Sequence, residues 1–188
     1  NPLNETPLVV LGHSAGANLA LKFGTRIGGI DRFYLVAPVL DSCESLRYMY
    51  ERDTIHEFTS IIAQLSIDPV PVRAVLKDEK WLDPDYWKTE KLGRRLDDAS
   101  GKFLVGTFME NLFLPTHNAY DELARHGKIT TVILSTDDNW YPRKRIDMLC
   151  EANGIRRHLI PAAKDHFFTN AWKDVWDFLI QELAAGAR

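Results

Sequence analysis

The sequence predicts an α/β fold built around a mostly parallel sheet. Its length of 188 residues suits one domain, and 45% of the residues are hydrophobic, as in ordinary globular proteins. Towards both ends of the chain, short apolar runs bounded by glycine or proline alternate with segments of helical periodicity. Such alternation favours a parallel sheet whose strands are joined by right-handed crossovers.

Four strands and three helices are predicted in the alternating parts of the chain. The predicted strands are Leu8–Leu11, Phe33–Ala37, Thr130–Leu134 and Arg157–Ile160, and the second and fourth are ended by prolines. The predicted helices, each with apolar residues on one face, cover Ser14 to about Thr25, Arg143 to Ala152 and Thr169 to Ala184.

The middle of the chain, from Asp41 to about Leu114, breaks this alternation. It contains no strand candidate of comparable quality, and its patterns are helical: Cys43–Glu51, Ile55–Leu65, Val70–Lys77, Pro84–Leu96 and Lys102–Leu112. Because a segment of this length is too long for a connecting loop, we expect a helical insertion with packing of its own.

Composition excludes several classes of function. A net charge of −3 and a pI near 6.1 give no electrostatic reason to expect nucleic acid or an anionic membrane as a partner. No apolar run approaches the roughly 20 residues that span a bilayer. Cys43 and Cys150 lie far apart in the sequence, so we expect free thiols, which fit a cytoplasmic location. No spacing of possible ligands predicts a metal site. Residues Asn1 to Glu5 lack the features of a signal peptide, and we expect that the sequence begins inside a longer chain.

The sharpest signal is Gly12-His13-Ser14-Ala15-Gly16, between the first strand and the first helix. A serine hydroxyl is a poor nucleophile unless it is held clear of its neighbours and beside a general base. A sharp strand-to-helix turn presents it in this way and aims the first helical N–H groups at a developing oxyanion. We expect strained angles at the serine, with crowding that Gly12 and Gly16 relieve.

Candidate partners for this serine follow the last two strands. The third strand leads into Asp137-Asp138-Asn139-Trp140-Tyr141-Pro142, and the fourth into Asp165-His166-Phe167. Catalytic groups of open α/β sheets gather at the carboxyl ends of strands, and the chain order Ser, Asp, His is the order that this turn predicts.

With these three motifs the chain resembles the α/β-hydrolase superfamily, in its lid-bearing lipase, esterase and thioesterase branch. The match covers residues 7 to 40 and 128 to 184. It implies a three-layer sandwich, of which this chain holds about four strands (the C-terminal half), and makes residues 41 to 114 a helical lid.

The resemblance also implies Ser14 as nucleophile, His166 as base and Asp138 as the acid, with no cofactor. Asp137 is the nearest rival for the acid and Asp41 an outside candidate. We expect Asp165 to be solvated or structural, and His13 to be a packed or hydrogen-bonded neighbour rather than a second base.

The resemblance also implies parts that this sequence does not contain. Ala15 N–H maps onto one oxyanion donor, but the second would come from a loop after an earlier strand and has no position here. The apolar strand Leu8–Leu11 would normally be flanked on both sides, and a bare edge is an aggregation hazard. We therefore expect residues 1–188 to belong to a longer polypeptide or to need a second chain beside that edge.

The predicted activity is cleavage of a carboxylic ester or thioester through an acyl-serine intermediate. Acyl transfer or cyclisation by a biosynthetic enzyme, and an inactive binding module, remain as alternatives. Phe108, Met109 and Phe113 in the insertion either belong to its core or form an acyl-binding wall facing the serine.

Overall fold

The computed structural model describes residues 7–89, 91–100 and 104–186. Its sheet has four parallel strands in the order β1 (Val9–His13), β2 (Arg32–Val36), β3 (Thr130–Leu134) and β4 (Arg156–Leu159). The helices are α1 (Ala15–Ile27), α2 (Ser42–Glu51), α3 (Ile55–Leu65), α4 (Pro69–Leu76), α5 (Pro84–Thr89), α6 (Leu92–Ser100), α7 (Val105–Leu112), α8 (Tyr120–His126), α9 (Arg143–Ala152) and α10 (Trp172–Gly186). The predicted α/β class and parallel sheet are confirmed.

The strand boundaries differ slightly from the predicted ones. β1 continues two residues beyond Leu11, because Gly12 and His13 pair with Leu35 and Val36 of β2. The first strand therefore extends through the glycine and ends directly before Ser14.

Side chains of the central strands alternate between two buried layers, as the period of two in a strand requires. One layer joins β2 and β3 side chains to those of α1, α8 and α9: Phe33, Leu35, Val132 and Leu134 pack with Leu21, Leu123 and Ile146. The other joins Tyr34, Val36 and Ile133 to Val175 and Leu179 of α10. The sheet thus has helices on both faces, which is the expected three-layer arrangement. Helix α8 was not predicted from the sequence.

The chain divides into two compact units. The sheet unit comprises Asn1–Leu40 and Ala119–Arg188, and the helical unit comprises Asp41–Asn118. The chain leaves and re-enters the sheet unit at one point, where Ala119 N–H donates to the Leu40 carbonyl at 2.9 Å.

The helical unit departs from prediction in one segment. The single helix predicted over Pro84–Leu96 is two helices, α5 and α6, and Lys91 between them has a φ of 46°. The predicted start of the next helix at Lys102 lies outside the described residues. Asp97 caps α7, since its carboxylate accepts hydrogen bonds from the N–H groups of Gly106 and Thr107.

Candidate active site

The turn that carries Ser14 is strained and tightly held. Ser14 has φ 56° and ψ −128°, in a region that residues with a side chain rarely adopt. Its N–H donates to the Val36 carbonyl at 3.0 Å, and its carbonyl accepts from the N–H groups of Ala17 and Val39, both at 3.1 Å. These bonds to α1 and to the segment after β2 hold the backbone in a conformation that costs about 1–3 kcal/mol.

Of the two positions predicted to need glycine, only one has no room for a Cβ atom. A Cβ atom at Gly12 would lie 2.6 Å from Ala17 Cα and 2.7 Å from the Gly16 carbonyl oxygen, and both are backbone atoms. Apart from its two chain neighbours and the backbone of its own helix, a Cβ atom at Gly16 would meet no described atom within 4 Å. The expectation that Gly16 also relieves crowding is wrong, because the helix turns its α-carbon towards open space.

In the structure, the side chains of Ser14, His166 and Asp138 are connected in series by hydrogen bonds. Ser14 Oγ lies 2.8 Å from His166 Nε2. On the other side of the ring, His166 Nδ1 lies 3.0 Å from Asp138 Oδ2 and 3.1 Å from Oδ1. His166 is fully buried. The imidazole therefore joins the hydroxyl to the carboxylate, with one nitrogen facing each.

Asp138 is the carboxylate that contacts the imidazole, and the other acidic candidates lie elsewhere. Its Oδ1 accepts hydrogen bonds from the N–H groups of Trp140 at 2.8 Å and Tyr141 at 3.1 Å. Asp137 is exposed, Asp41 caps α2 through Glu44 N–H, and Asp165 accepts from Phe167 and Thr169 N–H within its own loop. The tight turn of the D-N-W-Y-P motif thus orients one of two adjacent carboxylates.

Aromatic rings surround the imidazole. The Trp140 ring is stacked on it, with centroids 4.9 Å apart and planes 7° from parallel, while Phe167 stands edge-on at 5.3 Å. Sequence reasoning assigned no role to Trp140. The feature of the sequence that could have pointed to Trp140 is its place in the D-N-W-Y-P motif, as an aromatic residue two positions after the acid.

His13 contacts the backbone of the loop that carries the imidazole. His13 Nε2–H donates to the His166 carbonyl at 3.0 Å, and its ring lies edge-on to Trp172 at 5.3 Å. Burial is the main cause that lowers the pKa of His13 below its ordinary value, although the bond to the carbonyl opposes it. The expectation of a packed, hydrogen-bonded neighbour agrees with this geometry.

Ala15 is the first residue of α1 and is exposed. The first N–H groups of a helix have no partner within the helix, and they lie at the positive end of its dipole. Ala15 N–H is therefore suited to bind an anionic oxygen beside Ser14. The predicted second donor remains a prediction.

The three predicted wall residues belong to the helical unit. Phe108 is half-buried and Met109 fully buried on α7, and Phe113 follows that helix. Phe113, with Trp87 and Leu114, lines a cavity of about 740 Å³ whose other lining residues include Lys88 and Arg94. Their role in binding an acyl group remains a prediction.

The other sequence-level expectations concern metals and membranes. Within residues 7–89, 91–100 and 104–186, no three His, Cys, Asp or Glu residues are grouped so that they could hold a metal ion. No helix in those same ranges is both long enough and apolar enough to cross a bilayer. Cys43 is half-buried and Cys150 buried, and burial raises the pKa of the Cys150 thiol to about 11.

The fold and the site define a class: an open parallel α/β sheet with a hydroxyl, an imidazole and a carboxylate in contact beyond the carboxyl ends of its strands. No family model matches the chain, and no curated protein matches it either. The comparison with solved structures does find proteins that match the chain.

The solved structures that are similar over nearly the whole chain include three hydrolases. A carboxylesterase of the thaumarchaeon Nitrososphaera gargenis has 15% identity and a TM-score of 0.53, covering 98% of this chain and 67% of that one. An esterase from Exiguobacterium antarcticum has 16% identity and a TM-score of 0.52, with coverage of 97% and 69%. A meta-cleavage product hydrolase from Pseudomonas fluorescens has 15% identity and a TM-score of 0.51, with coverage of 99% and 67%. The chain has the α/β-hydrolase fold and spans about two thirds of the length of these structures.

Proposed function

We propose that this chain cleaves carboxylic esters or thioesters by attack of Ser14, with His166 as general base and Asp138 as its orienting acid. One observation carries the proposal: the imidazole of His166 contacts Ser14 Oγ at 2.8 Å with one nitrogen and Asp138 at 3.0 Å with the other. The strained backbone of Ser14 supports it, because strain of this kind clusters at functional sites.

The proposed role requires one tautomer of His166, and the hydrogen-bond partners of the ring are compatible with it. An ionised carboxylate only accepts hydrogen bonds, so Nδ1 of His166 carries the proton that Asp138 accepts. Nε2 then has a lone pair, and the Ser14 hydroxyl donates to it. The imidazole can therefore take the serine proton without first losing its own.

The proposed reaction has two halves. Ser14 Oγ forms a bond to the substrate carbonyl carbon while its proton passes to His166 Nε2, and the carbonyl oxygen becomes an oxyanion beside Ala15 N–H. The imidazolium then gives that proton to the departing alcohol or thiol, which leaves an acyl-serine. Water attacks the acyl carbon, its proton passes to Nε2, and the carboxylic acid leaves as Ser14 recovers the proton.

The experiment pairs two serine-to-alanine variants. We expect Ser14→Ala to lower the turnover of p-nitrophenyl esters by about 10⁴-fold or more. Ser60→Ala, an exposed position on α3, should leave the rate unchanged. A fluorophosphonate probe should label the wild type and Ser60→Ala at Ser14 and fail to label Ser14→Ala. Equal turnover by both variants, or an unreactive wild-type serine, would refute the proposal.

A further inference from the structure

Trp140 contacts both partners of the hydrogen bond between His166 and Asp138. Its indole ring lies parallel to the imidazole, with a 4.9 Å centroid separation and a 7° angle between the planes. Its backbone N–H donates to Asp138 Oδ1 at 2.8 Å. Only 8% of Trp140 and none of His166 is exposed, so the indole is part of what covers the imidazole.

From these contacts we infer that Trp140 is a positioning residue, whose ring holds the imidazole plane of His166 in line with both Ser14 and Asp138. The inference rests on the proposed function. Two hydrogen bonds on opposite sides of one ring require one orientation of that ring, because tilting the imidazole moves both nitrogens out of line with their partners. A large flat ring stacked on one face opposes such a rotation.

Phe167 restricts the same ring from another direction. It stands nearly perpendicular to the imidazole, at 85° and 5.3 Å, and also to the indole, at 78° and 5.0 Å. Because Trp140 lies two positions after Asp138 in the same turn, the indole and the carboxylate are placed by one piece of backbone. A displacement of that turn would therefore move both contacts of the imidazole together.

The indole face also suits the charged state that the reaction creates. When His166 takes the Ser14 proton it becomes a cation, and the face of an indole attracts a cation within about 6 Å of its centroid. Phenylalanine offers a weaker face of smaller area, and leucine offers none. The three side chains therefore form a graded series at position 140.

The first measurement is the ester kinetics of Trp140→Leu, Trp140→Phe and the control Trp176→Leu. Trp176 lies on α10, and 52% of it is exposed. We expect Trp140→Leu to lower kcat by about 10- to 100-fold, because small misplacement of reacting groups is costly. KM should change by less than about threefold, since substrate binding is not the affected step. Trp140→Phe should recover part of kcat, and Trp176→Leu should match the wild type. An unchanged kcat in Trp140→Leu, or a loss that Trp140→Phe does not relieve, would overturn the inference.

The second measurement does not depend on turnover. Proton NMR of the 15N-labelled chain reports the Nδ1 proton of His166, which is assigned by its loss in His166→Gln. We expect a sharp low-field resonance in the wild type, faster exchange with water in Trp140→Leu and an intermediate rate in Trp140→Phe. A wild type without esterase activity refutes the proposed function alone, and this series still decides the positioning role. Equal exchange in all three proteins overturns that role, even if Trp140→Leu has lost stability.

Discussion

Ser14 Oγ and His166 Nε2 are 2.8 Å apart although the two residues are separated by 152 positions. Ser14 follows β1 and His166 follows β4, and β2 and β3 lie between those strands. With a strand spacing of about 4.8 Å, the loop after β4 must reach back over about 14 Å of sheet. Thr136 anchors that loop above β3, since its N–H donates to the Ala163 carbonyl at 2.9 Å, and His13 anchors it above β1.

The two adjacent aspartates after β3 provide a matched test of the acid. We expect Asp138→Asn to lower kcat for ester hydrolysis by about 10³- to 10⁴-fold, because the amide can donate to Nδ1 and favour the wrong tautomer. Asp137→Asn should have nearly wild-type kinetics, since the exposed side chain of Asp137 is not the one that contacts the imidazole. Comparable losses in both variants would show that the acid is misassigned.

The two glycines of the turn should respond differently to alanine. Gly12→Ala places a methyl group against backbone atoms at 2.6 and 2.7 Å, and we expect a loss of about 1–3 kcal/mol in the free energy of unfolding. Gly16→Ala meets open space on a helix, where alanine is favoured over glycine by about 0.5–1 kcal/mol. Urea denaturation of both variants measures the difference. Destabilisation of similar size in the two would contradict the geometry of the turn.

His13 should make the stability of the sheet unit depend on pH. Its pKa is lowered from 6.5 mainly by burial, and the hydrogen bond to the His166 carbonyl opposes this effect without cancelling it. The unfolded chain then binds more protons at this site, so stability present above about pH 6.5 is lost as the pH falls towards the lowered pKa. We expect urea midpoints that fall from pH 7.5 to pH 5.5 in the wild type.

The variant His13→Gln removes this titration and keeps an N–H group that can donate to the His166 carbonyl. Its midpoints should fall less over the same interval. Some dependence should remain, because burial also lowers the pKa of His126 and His158. A pH dependence identical to that of the wild type would exclude a contribution from His13.

We also propose that the outer edge of β1 pairs with a further segment of polypeptide, either from a longer chain or from a second one. Among the described strands β1 pairs with β2 alone, and Leu19, Phe23 and Ile27 form an exposed apolar row on the adjoining helix α1. Such surfaces associate. We expect the 188-residue chain to self-associate as its concentration rises in sedimentation velocity.

The substitution Phe23→Glu should weaken this association. Leu65→Glu, at another exposed apolar position but in the helical unit, should leave it unchanged. A wild-type chain that remains monomeric at all concentrations would argue against the proposal.

The sequence by itself determined the alternation of strands and helices, the serine at the bend and the order in which Asp138 and His166 follow it. Each strand, helix and motif depends on spacing within a few residues, and the order of the motifs is given by the chain itself. Accordingly, α9 and β3 begin and end where their patterns predicted. The tertiary structure decided which of two adjacent aspartates faces the imidazole, that Trp140 stacks on it, that His13 holds its loop, and that Gly16 faces open space. Those outcomes depend on distances between residues that are far apart in the chain. The periodicity of the sequence does not specify such distances, because they are set only when the sheet brings the ends of its strands together.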